Sequence, residues 1–80
     1  MDKMLITPST PHLKYAVVDQ RKDREGDTFV KTYKSKQEAV EHAESQWNHL
    51  TKSEQKVRNV TACVWNIENL EMWDIFIQYA

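Results

Sequence analysis

Residues 35–55 read SKQEAVEHAESQWNHLTKSEQ, and the reading of this stretch decides the fold. It is largely polar, yet Trp47 sits in its middle. Val40, Ala43, Trp47 and Leu50 recur at steps of three, four and three, which is one face of an α-helix, and Ala39 widens the stripe. Glu38, Glu41 and Ser45 lie away from it. Trp47 is therefore expected as a core anchor, with a burial worth about 2–3 kcal/mol. Ser35 followed by Glu38 is a capping box, in which each side chain can satisfy an orphan backbone N–H of the other. Thr51 followed by Glu54 is a second one. One helix is thus expected to end near Leu50, and a short turn of helix, about Lys52–Val57, to follow.

Upstream, LKYAVVDQ (13–20) and DTFVKTYK (27–34) are rich in β-branched and aromatic residues and read as strands. RKDREG between them ends in Gly26, the only glycine of the chain, which suits a turn position needing positive φ. Downstream, VTACVWNI (60–67) and MWDIFIQY (72–79) read as strands joined by the short turn ENLE, a common hairpin length. The expected order is ββαββ, an α+β fold with an antiparallel sheet of about four strands and one main helix on one face. Residues 13–80 form this single domain. Residues 1–12, with Pro8 and Pro11 around Ser9 and Thr10, read as an extended or mobile arm, although Met4, Leu5 and Ile6 could lie along a sheet edge.

One helix covers only one face of such a sheet, and a strand with one covered face should alternate apolar and polar residues. The C-terminal hairpin does not. Simple alternation places Val60, Ala62, Val64, Trp73, Ile75 and Ile77 under the helix, with Ala62 leaving room for Trp47. Trp65, Ile67, Met72 and Phe76 are then left on the far face. Either the 1–12 arm covers them or another molecule does, because contiguous exposed apolar patches mark interaction sites. These four residues are the candidate partner-binding site, for a protein partner or for self-association as a homodimer.

Eighty residues with one cysteine, Cys63, leave no disulfide framework and no multi-cysteine zinc site. A lone thiol fits a reducing cytoplasm. The N-terminal MDKMLITPSTPH lacks the long apolar run of a signal peptide, and no stretch reaches membrane-spanning length. The net charge of −1 is unevenly spread. Residues 1–36 hold eight basic and five acidic groups, whereas residues 59–80 hold three acidic groups and no basic one. This argues against a nucleic-acid protein, whose phosphate contacts need a concentrated basic face. The one basic cluster is Arg21, Lys22, Arg24, Lys31 and Lys34, with Lys36 beyond and Phe29 and Tyr33 interleaved. It is the alternative, nucleic-acid-binding site, diluted by Asp23, Glu25 and Asp27.

Chemistry is otherwise sparse. His42 and His49 lie two turns apart, roughly 10 Å, too far for one metal. Glu38 and His42 at i, i+4 could hold one edge of a metal site, but the sequence specifies no third ligand. Cys63, mid-strand without a basic neighbour, reads as a small apolar side chain. No glycine-rich phosphate loop and no catalytic constellation is present, so neither an enzyme nor a cofactor or small-molecule substrate is expected.

Tyr33, Glu38, Ala39, Ala43, Glu44, Trp47, Leu50, Thr51 and Glu54 form the pattern EA…AE..W..LT..E after an aromatic residue and before a strand. In this the chain resembles short, mostly uncharacterised proteins of Gram-positive bacteria and their phages and mobile elements. The resemblance covers about half the chain and implies the fold and a bacterial, or phage-infected, cytoplasm. It carries over no functional residue. The expected role is a small non-enzymatic interaction module of the accessory or inhibitor kind.

Overall fold

The computed structural model of the chain describes residues 11–23 and 26–80. Six elements follow in order: β1 (Leu13–Arg21), β2 (Thr28–Tyr33), α1 (Lys36–His49), α2 (Lys52–Gln55), β3 (Arg58–Asn66) and β4 (Glu71–Tyr79). The strands form one antiparallel sheet in the order β2-β1-β3-β4. The fold is the expected α+β arrangement. β1 and β3 are central, and β2 and β4 are the edges. β2 and β3 run parallel with β1 between them, so the chain needs a crossover, which α1 supplies. None of the described helices is long and apolar enough to cross a membrane.

Local sequence sets the boundaries. Ser35 caps α1, its hydroxyl accepting from the Glu38 N–H at 3.1 Å. The Glu38 carboxylate reaches back to the Lys34 N–H at 3.2 Å, one residue earlier than in a regular box. At α2 the box is complete, with Thr51 and Glu54 each accepting from the other's backbone N–H. Gln55 ties the two helices by donating to the Trp47 carbonyl at 2.9 Å. Gly26 takes φ 88° in the first hairpin, as its lack of Cβ permits.

Two apolar layers flank the sheet. On the α1 side, Val17, Ala39, Ala43, Val60 and Ala62 are buried, with Trp47, Leu50, Phe76, Ile77 and Tyr79 packed against them. Ala39 and Ala43 face the sheet, so α1 sits close to it. Trp47 stacks on Tyr79 with ring centroids 5.9 Å apart. On the opposite side, Ala16, Val18, Cys63 and Trp65 form a second buried cluster, joined by Val30 and Met72. The expected arm of residues 1–12, with its strand-edge candidates Met4, Leu5 and Ile6, falls on residues 1–10, outside the described residues. Of its end, the His12 carbonyl accepts from the Ile67 N–H at 2.9 Å and so extends the β1–β3 ladder by one rung.

The face assignment of the last strand needs correction. β4 pairs with β3 in register from Tyr79 to Ile77, then shifts between Ala62 and Cys63 and again between Val64 and Trp65. Phe76 and Trp73 are the residues without a partner. An extra residue reverses the in–out phase beyond it. Phe76 is therefore on the helix side, 6.1 Å from the Tyr15 ring and under the Lys36 ammonium, not on the far face. Ile75 pairs with Cys63 on the far face, not beneath α1. Trp73 and Ile75 are 46% and 50% exposed.

Candidate binding surfaces

The first surface is built by the β3–β4 hairpin. Asn66 starts the turn, its side-chain oxygen accepting from the N–H groups of Glu68 and Asn69. The Leu70 N–H closes it on the Asn66 carbonyl at 2.9 Å. Leu70 then takes φ 58°, the left-handed region that glycine or asparagine adopts at lower cost. Its side chain is exposed. Among the described residues five large apolar side chains are exposed, and four of them, Ile67, Leu70, Trp73 and Ile75, lie in this turn and along edge strand β4. Glu68, Glu71 and Asp74 are interspersed, with no basic residue from position 59 onward.

The residues expected from sequence to bind a partner therefore separate. Ile67 is exposed and belongs to the surface. Trp65 is 8% exposed within the chain itself. Met72 pairs opposite Trp65 and is half-buried beside it. Phe76 lies under α1. Leu70, Trp73 and Ile75 were not among the candidates. Leu70 could have been noticed as an apolar residue inside a turn, but the phase reversals that expose Trp73 and Ile75 leave no signal in the sequence.

The second surface is a groove of about 400 Å³ between α1 and β2. α1 packs over β1 and β3, and this offset leaves the helix-side residues of β2, Phe29, Lys31 and Tyr33, uncovered on one flank. Its floor holds Asp19, a buried carboxylate that accepts from Arg58 at 3.1 Å and from Gln46 at 2.9 Å. A buried charge is tolerable only when so paired. Tyr33 stacks on His42 with centroids 4.6 Å apart. Partial burial, and after it the Glu38 carboxylate, raises the Tyr33 phenol above its ordinary pKa. His49 engages the Ser45 carbonyl through Nδ1 at 2.7 Å. The ligand-poor histidines of the sequence thus make ring-stacking and backbone contacts. Among the described residues no three His, Cys, Asp or Glu side chains converge on a metal-sized site.

The basic candidates within the described residues do not gather into one face. Arg21 is held by Asp23 in a two-toothed ion pair at 2.8 and 2.9 Å. Lys31 belongs to the groove, its Nζ 5.9 Å from the Tyr33 ring. Lys22 and Lys34 are exposed at opposite ends of β2's length, and Arg24 lies outside the described residues. Cys63 is fully buried, and burial pushes its thiol up to about 11, which keeps it protonated at neutral pH.

Comparison of the chain with protein-family models, with curated proteins and with solved structures finds no match.

Proposed function

We propose that the chain is a small non-enzymatic docking module that engages a protein partner through the apolar patch Ile67, Leu70, Trp73 and Ile75. The concentration of exposed apolar side chains in one turn and one edge strand carries this reading. Exposed apolar side chains gathered in one region mark interaction sites, whereas single scattered ones are ordinary. Leu70 supports it independently, because an exposed leucine in a left-handed turn brings strain and no packing, which suggests a role outside the fold. The acidic residues around the patch favour a partner with a basic rim. Self-association through the same patch would bring Glu68, Glu71 and Asp74 of two copies together.

The double variant Trp73→Lys/Ile75→Lys tests this. Both side chains are half exposed, so urea unfolding should stay within about 0.5–1 kcal/mol of wild type. Capture of the wild-type protein's partner from lysate of the source cell should be lost. A variant that remains folded and still captures that partner would overturn the proposal.

A further inference from the structure

The two edges of the sheet are not equivalent. β4 is interrupted twice along its register, which twists an edge away from regular pairing. β2 pairs with β1 without interruption from Tyr33 to Thr28, so its outer edge is regular. The phase of that edge follows from one hydrogen bond. The Arg21 N–H donates to the Asp27 carbonyl at 3.3 Å, which makes 21 and 27 a hydrogen-bonded pair. Alternation along the antiparallel ladder then turns the backbone groups of Phe29, Lys31 and Tyr33 toward β1. Those of Thr28, Val30 and Thr32 face the outer side, which no other strand among the described residues pairs with.

We propose that this outer side of β2 takes an extended segment of a partner protein as a fifth strand, and that the segment carries an acidic residue between two apolar ones, in the spacing apolar-x-Asp/Glu-x-apolar. Main-chain bonds to Thr28, Val30 and Thr32 hold the strand, as in other cases of strand addition. Its residues opposite Phe29, Lys31 and Tyr33 form non-hydrogen-bonded pairs, in which Cα atoms approach to about 4.5 Å and side chains meet closely. Those side chains lean over the groove beneath α1. An apolar residue meets the exposed Phe29, an acidic one meets Lys31, and a second apolar one meets the Tyr33 ring. The groove does not oppose the acid. The Asp19 charge is matched by Arg58, and the Glu38 carboxylate is turned back onto the Lys34 N–H.

A second copy of the chain is a poor occupant. Two β2 strands aligned about Lys31 would set like charges opposite one another. The sequence holds two segments of the required spacing, Ala39-Glu41-Ala43, which is part of α1, and Met72-Asp74-Phe76, which β4 has already committed to β3 across both register shifts. This surface is separate from the β4 patch, so either can fail alone.

The test is a titration of the ¹⁵N-labelled protein with the acetylated, amidated peptide Thr-Tyr-Thr-Glu-Thr-Phe-Thr and with the same peptide carrying Lys for Glu. Binding of the first should shift and protect the amides of Thr28, Val30 and Thr32, and the second should bind about tenfold more weakly. Lys31→Glu should reverse that preference. Thr32→Pro, which removes an outward N–H from an exposed position while leaving the β1 ladder intact, should abolish binding of both. No amide shift at millimolar peptide, equal affinity for the two peptides, or shifts confined to β4 would overturn the proposal. So would β2 amide shifts that follow protein concentration alone, which would make a second copy the occupant.

Discussion

Trp47 and Cys63 show how single side chains are fixed by what surrounds them. Trp47 was legible from periodicity alone, because one stripe on a polar helix leaves it nowhere else to point. It is half-buried, stacked on Tyr79 and packed against the Val60 and Ala62 layer. Trp47→Ala should cost roughly 2–3 kcal/mol in urea unfolding, less than a fully enclosed aromatic would. An unchanged midpoint would place the indole outside the core. Cys63 was legible as an apolar side chain because no basic residue flanks it. Its thiol should resist iodoacetamide at pH 8 in the native protein and react fully in urea. Because its folded pKa is raised from 9.0 to about 11, the unfolded chain loses the proton first. Its contribution to stability is therefore intact below about pH 9 and lost as pH rises through about 11. Cys63→Ala should flatten that part of the alkaline decline, and an identical decline in the variant would contradict the assignment.

At the scale of elements, the helices and both hairpins were readable because each boundary has its own local chemistry. Ser35, Thr51 and Gly26 carry those signals, and each stands where its chemistry places it. The faces of β4 were not readable. Alternation is a period of two, and each unpaired residue in the strand restarts it, so Phe76 moves under the helix and Ile75 moves out. Nothing local in MWDIFIQY marks where the restart falls. The turn before it offers a direct test. Leu70→Gly relieves a left-handed leucine, a gain of about 1 kcal/mol that the extra chain entropy of glycine partly offsets. Thermal unfolding of that variant should match wild type or rise slightly. A fall of several degrees would mean that Leu70 packs into the fold rather than serving the surface.

Across the whole molecule, strand order converts an uneven sequence into a polarised object. The order β2-β1-β3-β4 places Lys31, with Lys34 beyond it, at one edge of the sheet and Glu71 and Asp74 at the other. The charge asymmetry could be counted in the sequence, but its direction in space could not. Two hairpins and one helix can be ordered in several ways, and only the pairing of β1 with β3 decides among them. The same pairing leaves β4 as an edge, where its apolar side chains meet no further strand among the described residues. The proposed docking surface depends on this arrangement, and so does its expected sensitivity to salt. The most direct measurement is site-specific photo-crosslinking in the source cell, with benzoylphenylalanine in place of Trp73 and, as a control, in place of the exposed Ser53. The account predicts a covalent adduct of one defined mass from position 73, weakened by added salt, and little or none from position 53. Equal yields from both positions, or no adduct from position 73, would contradict it.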